Sequence, residues 1–230
     1  MEGAQTLLAF DNPWEIVGLI SVIVAMRVAV PYIPAGRSVR ATILEFVDSG
    51  LVAALLVFCL LRPFVIQAFY IPSGSMIPTL DVGDRILVNK FVYFFRDPEP
   101  DEIIVFNAPP AASVSDKDFI KRVVGSPGDS ISVWDGALHR NGERVEEPYL
   151  AERPRYVWPD PNNPGESLLV PDDKYVLFGD NRNDSNDSHR WGEFDPNTGQ
   201  WRPEPFVPEE NVLGRAMVVF WPPHRIGILR

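Results

Sequence analysis

Hydropathy divides the chain into an apolar opening stretch and a long alternating remainder. Residues 16–33, IVGLISVIVAMRVAVPYI, are apolar apart from Ser21 and Arg27, close to the ~20 residues of a spanning helix. A second run, from about 44 to 69, centres on LVAALLVFCLL and continues past Arg62 and Pro63 into FVIQAF, with Glu45 and Asp48 near its start. The pattern predicts transmembrane helices over 16–35 and 44–68, a tail over 1–15 and a loop over 36–43. Neither run reads as a cleaved leader, because there is no basic N-terminus and no small-residue cleavage site. The tail has no Lys or Arg, whereas Arg37 and Arg40 lie in the connection and Arg27 can snorkel to the same side. The loop is therefore expected to be cytoplasmic, with the tail and everything after about residue 70 extracytoplasmic.

From residue 84 the period shortens to two. RILVNKFVYF, EIIVFNAP, DFIKRVV, SISVWDGALHRNGERV, KYVLFGD and RAMVVFWP are short β-type segments punctuated by turn residues. The expected fold is mainly β, an antiparallel sheet domain over 69–230. Turn signals at Asp135–Gly136 and Asn141–Gly142 mark a small meander. With the proline-rich 151–170 it predicts a subsidiary lobe over about 130–172.

Composition narrows the partners. The 230 residues carry a net charge of −10, which argues against nucleic acid, since phosphate backbones are met with clustered Lys and Arg. The single cysteine, Cys59, lies inside an apolar run, so neither an intrachain disulfide nor a cysteine-based zinc site is available. A hydrophobic fraction of 46% leaves apolar material for both a core and a membrane segment.

Three stretches carry candidate chemistry. In IPSGSMIPTL, residues 71–80, Gly74 permits close backbone approach and Pro78 restrains the turn that holds Ser75; most such serines merely cap a turn. A nucleophilic serine needs a base in reach, and His139, His189 and His224 form no convincing Ser-His-Asp order. Lysine is the alternative base. In DFIKRVVG, residues 118–125, alternation sends the neighbouring cations to opposite faces. If Lys121 shares the face of Phe119 and Val123, desolvation lowers its pKa from about 10.4 towards the neutral range; two solvated cations on an edge strand are the alternative. The third stretch, FGDNRNDSNDSHRWG over 178–192, fails as a calcium loop. Counted from Asp180, the sixth position is Ser185 rather than Gly and the twelfth is Trp191 rather than Glu.

Together these stretches resemble the bacterial type I signal peptidases, membrane-anchored Ser-Lys proteases that remove signal peptides from exported proteins. SGSMIPTL is similar to the family's nucleophile box, GDRILVNKFVY to the next structural box, FIKRVVGSPGD to the box with the general base, and GDNRNDSNDS to the last; the likeness extends to WPPHRIGIL at the C-terminus. The resemblance implies Ser75 as nucleophile, Lys121 as base, and Ser73 with the Ser75 N–H as oxyanion hole. It implies Ser185 as support for the base and Asp187 as half of an ion pair. Phe69, Ile71, Pro72, Met76, Leu80, Phe119 and Ile120 would line shallow pockets for small side chains, giving cleavage after Ala-X-Ala type sequences.

The same resemblance implies no cofactor and no metal. The expected partners are signal-peptide-bearing pre-proteins and the lipid bilayer, near the secretion translocon, with the protein multi-pass in the bacterial cytoplasmic (inner) membrane. Phe69, Tyr70 and residues near Phe94 are candidates for resting on lipid. Two rivals with other roles are a self-cleaving Ser-Lys protease and a non-catalytic membrane scaffold.

Two departures stand out. The family commonly continues its last box as Asp-Ser-Arg, whereas here Asp187–Ser188 precedes His189 and then Arg190, so either His189 or a shifted Arg190 partners Asp187. Residues 193–205 form an insertion expected to be a hairpin turning at Asn197–Thr198–Gly199.

Overall fold

Sheets made from two-sided apolar strands bury both faces, and that property decides the architecture of this chain. The computed structural model describes residues 5–6, 13–57, 66–115, 117–194 and 201–229. It divides into two units, Leu7–Gln67 and the remainder.

In the first unit, helix α1 (Pro13–Ala29) runs to the prolines at 31 and 34, which end it, and α2 (Arg37–Leu55) follows. The helical boundaries differ from those expected: α2 begins at Arg37 and takes in most of the proposed loop 36–43, because Arg37, Ser38 and Arg40 are compatible with a helical first turn. No helix of the described residues is long and apolar enough to cross a membrane. The 17 residues of α1 rise about 26 Å, less than the ~30 Å of a hydrocarbon core, and α2 includes four charged residues. The rest of the second apolar run, 58–65, lies outside the described residues. Arg27, expected to snorkel, instead pairs with Asp48, Nε to Oδ1 2.5 Å.

In the second unit β1 (Gln5–Thr6) lies antiparallel on β2 (Ile66–Tyr70). Next come β3 (Arg85–Asn89), β4 (Ile103–Asn107) and β5 (Asp118–Gly125). The chain then leaves for a separate four-stranded sheet made of β6 (Ser130–Trp134), β7 (Ala137–Arg140), β8 (Glu143–Arg144) and β9 (Leu168–Leu169), ordered β8-β7-β6-β9. It returns as β10 (Lys174–Phe178). A two-stranded ribbon, β11 (Gly192–Phe194) with β12 (Trp201–Pro203), flanks residues 195–200, so the expected Asn197–Thr198–Gly199 turn lies outside the described residues. β13 (Phe206–Pro208), β14 (Val212–Trp221) and β15 (Gly227–Ile228) complete the main sheet. Its order is β1-β2-β3-β14-β4-β5-β10-β13, with β15 on β14.

Alternation on β4 shows why the sheet is stable. Ile103 and Val105 enter a core with Phe69, Ile71, Met76, Leu80 and Ile86, whereas Ile104 and Phe106 enter a second core with Phe119, Val123, Leu177 and Trp191. Each fully buried large side chain contributes about 1.5–3 kcal/mol. Strand β5 lies between β4 and β10 in this two-faced sheet, and every residue it carries after Asp118 is buried.

Candidate active site

The loop that leaves β2 is closed before it reaches its serine. Ile71 N–H donates to Asp84 O at 2.9 Å and Gly83 N–H donates to Ile71 O at 2.9 Å, while Ile77 N–H returns to Gly74 O and Leu80 N–H to Met76 O. Ile71, Met76 and Leu80 are sunk into the core. From the C-terminal segment Arg225 reaches the same loop, bonding Asp84 Oδ1 at 2.8 Å and Thr79 O at 3.3 Å. These attachments hold Ser75 in a fixed turn, 5% exposed.

Lys121 meets it from β5. Its Nζ is 2.8 Å from Ser75 Oγ and donates to Ile120 O at 2.9 Å. The side chain is 4% exposed, with Nζ 5.4 Å from the centre of the Phe119 ring. Backbone pairing to β4, with Lys121 opposite Ile104, fixes the strand on one side, and pairing of Arg122 with Phe178 on β10 fixes it on the other. The hydroxyl and the amine meet directly, with no third group between them, an arrangement chemically able to pair a nucleophile with a base.

The loop after β10 clasps this pair. Asn181 donates from its backbone N–H to Ser75 O at 3.0 Å and from Nδ2 to Gly74 O at 3.1 Å. Gly179 is required by space: a Cβ there would stand 2.3 Å from Ser185 Oγ and 2.4 Å from Ser75 O. Asp180 accepts from Arg122 Nε at 2.9 Å and Nη2 at 2.7 Å, and from Thr79 Oγ1 at 2.5 Å, tying β5 to the nucleophile loop. The loop closes back on β10 through Leu177 N–H to Ser188 Oγ and Ser188 N–H to Leu177 O.

Asp187 is wholly buried, and burial alone would raise its pKa. The hydrogen bond from His189, the attraction of that ring's charge when it is protonated, and the Gly179 N–H together outweigh that and hold it below the usual carboxylate range. Gly179 N–H reaches Asp187 Oδ2 at 2.8 Å. Ser185 Oγ is buried and forms no hydrogen bond of ordinary geometry, although its hydroxyl dipole is near enough to favour the ionised carboxylate.

With the Ser-Lys contact and its clasp described, comparison with known proteins is decisive. Residues 43–221 match the family described as signal peptidase, peptidase S26. The chain belongs to that family. Among its relatives, a probable signal peptidase I-2 of Synechocystis sp. is 42% identical over 181 residues, covering 78% of this chain and 74% of that protein. Signal peptidase I of Leptolyngbya laminosa is 42% identical, covering 74% and 75%. A crystal structure of a signal peptidase I from Enterococcus faecalis aligns at 25% identity over 52% of this chain and 97% of that chain, with a TM-score of 0.38. As a member of the signal peptidase family, this chain is a serine endopeptidase.

Within this peptidase the residues singled out in the sequence fall into three groups. Ser75, Lys121, Ser185, Asp187 and His189 converge on one centre, with Arg190 at its edge and Ser73 half-buried two residues before the nucleophile. Phe69, Ile71, Met76 and Leu80 are packed completely in the first core, with Ile120 beside them and Phe119 in the second; Pro72 keeps a partly open face. His139 stacks on Trp134 in the smaller sheet, outside the centre. Among the described residues no group of three or more His, Cys, Asp or Glu is placed to hold a metal ion. Sequence reasoning missed Arg122, Thr79, Asp180 and Asn181. For Asp180 and Asn181 the signal was the unusual density of Asp and Asn in the last box, but density says nothing about partners 58 and 101 residues away.

Proposed function

We propose that this signal peptidase family member is a membrane-bound endopeptidase that removes signal peptides from exported pre-proteins after small residues, with Ser75 as nucleophile and Lys121 as general base. The carrying observation is the 2.8 Å contact between Lys121 Nζ and Ser75 Oγ in a nearly dry site. Removal from water disfavours an ammonium relative to a free amine. The free amine takes the Ser75 hydroxyl proton as Oγ attacks the scissile carbonyl. The oxyanion is met by the Ser75 N–H and the Ser73 hydroxyl. Collapse breaks the C–N bond, the ammonium returns its proton to the departing amine, and an acyl-enzyme ester remains. Lys121 then takes a proton from water as its oxygen attacks the ester carbonyl, and on collapse the ester C–Oγ bond breaks, the ammonium returns that proton to Ser75 Oγ and the signal peptide leaves as the carboxylic acid.

Anchoring in a bilayer is part of the same reading. Helix α1 exposes Val17, Leu19, Val22, Val24, Met26 and Val28 around its circumference, a distribution that suits lipid better than water. The exposed Phe91, Phe94 and Phe95 would rest at the lipid surface.

The test is cleavage of a purified pre-protein with an Ala-X-Ala site by the full chain in detergent or liposomes. Wild type should cut after the second Ala, with Ser75→Ala and Lys121→Ala inert but folded. Labelling of Ser75 by an acylating inhibitor separates the enzyme from a scaffold. Cleavage that persists in either variant would reject the assignment.

A further inference from the structure

Among the described residues no arginine bonds Asp187 directly, and the groups around it are arranged with a defined direction. Its Oδ1 lies 2.5 Å from His189 Nδ1 and accepts the His189 backbone N–H at 3.2 Å. On the opposite side of the ring, Arg190 Nε donates to His189 Nε2 at 3.2 Å, while Arg190 Nη2 donates to Asn183 O at 2.8 Å. A guanidinium only donates, so Nε2 must accept and the ring hydrogen must sit on Nδ1, where it donates to Asp187. The ring cannot swing away: it is stacked on Tyr156 with centroids 4.1 Å apart and planes 5° from parallel, and Phe178 of β10 stands edge-on at 6.0 Å.

The far side of Asp187 leads to the chemistry. Its Oδ2 holds the Gly179 N–H, and Gly179 sits in a gap too small for a methyl group between Ser185 Oγ and Ser75 O. Two residues on, Asn181 holds the carbonyls of Ser75 and Gly74. A displacement of Asp187 therefore moves the loop that fixes the nucleophile's backbone.

We propose that His189 is a positioning residue for the Ser75–Lys121 pair: its neutral ring, protonated on Nδ1 and accepting from Arg190 on Nε2, relays Arg190's hold to Asp187 and so clamps residues 179–181 on the nucleophile turn. Protonating Nε2 converts it from acceptor to donor, facing the N–H of Arg190, and breaks the relay. The charged and titratable groups around the ring are Asp187 and Arg190 of its own loop, the Tyr156 hydroxyl across the stack, and Arg182 and Glu147 behind Tyr156. The inference deepens the peptidase reading and rests on it.

The experiment compares His189→Asn, whose amide N–H stands near the place of Nδ1–H, with His189→Ala and His189→Leu in the full chain. Rates are measured per Ser75 titrated by an acylating inhibitor, so unfolded protein drops out. His189→Ala and His189→Leu are expected to lower kcat by about tenfold or more with KM little changed, the effect of losing one hydrogen bond to a buried charge. His189→Asn keeps a donor for Asp187 but has no acceptor for Arg190, and is expected to recover only part of that loss. Equal kcat in all variants, equal impairment of the Asn and Ala forms, or full recovery in His189→Asn would each overturn the proposal. Nitrogen-15 NMR of wild type supplies a reading independent of cleavage: a hydrogen on Nδ1 supports the relay and one on Nε2 alone ends it. Wild type that neither cuts nor is labelled would sink the peptidase reading instead, with the NMR result still deciding the relay.

Discussion

Arg122 and Asp180 form a two-pronged ion pair, with bonds of 2.9 and 2.7 Å, between side chains almost wholly removed from water. Arg122 follows Lys121 on β5, and its guanidinium also donates to Asp101 O at 2.7 Å and lies 3.8 Å from the centre of the Tyr149 ring. Burial lowers the affinity of the guanidinium for its proton, yet the Asp180 carboxylate more than compensates. Since a one-residue slip of β5 would exchange Lys121 for Arg122 at the serine, this pair fixes the register that brings Lys121 to Ser75.

Asp180→Ala is therefore expected to destabilise the folded domain by about 3–5 kcal/mol, the typical loss when one member of a buried pair is removed. Chemical unfolding followed by tryptophan fluorescence measures it. A loss below about 1 kcal/mol would mean that Arg122 finds water or another acceptor.

Gly179→Ala probes the clasp. The added methyl meets Ser75 O and Ser185 Oγ well inside contact distance, and the backbone oxygen cannot rotate aside. We expect cleavage to fall by at least about a hundredfold, since displacing a reacting group by about 1 Å has that effect. Activity close to wild type would show that the loop shifts without disturbing Ser75.

Lys121→Met separates chemistry from folding. The amine is almost fully buried, and an apolar side chain of similar length removes its desolvation penalty. Thermal unfolding is expected at the same or a higher Tm while pre-protein cleavage is lost. A marked fall in Tm would give Lys121 a structural role as well.

Acid stability reports on Asp187. Its carboxyl is held below the ordinary range despite burial, so it contributes stability that is fully present above its unfolded pKa of about 3.9 and is lost as pH falls through the folded value. Asp187→Asn carries no such charge and is expected to show a shallower loss of stability below about pH 4, measured as urea midpoints from pH 6 down to 3. Parallel curves for the two proteins would exclude a contribution from this carboxylate.

How much of this was legible beforehand differs from element to element. Ser75 and Lys121 were reachable because a serine in a restrained turn and a lysine in an apolar strand leave local signatures, and because four ordered boxes resemble one family. The β segments of the main sheet followed from alternation and turn residues. Alternation states which residues share a face, but it does not say whether both faces are covered. Thus Lys121 and Arg122 were correctly sent to opposite sides, whereas the burial of both followed from the sheet order that sets β5 between β4 and β10. The helix limits 37–55 were also missed, because an apolar window locates lipid-compatible composition rather than the hydrogen bonds that start a helix. The partner of Asp187, left open between His189 and Arg190, became His189 backed by Arg190 only once Tyr156 was found stacked against the ring. Residue type and period are local, and they determined the strands and the candidate pair. Which carboxylate meets which cation depends on strand pairing between distant segments, and only the tertiary structure decided that Thr79, Arg122 and Asp180 join to hold Ser75 against Lys121.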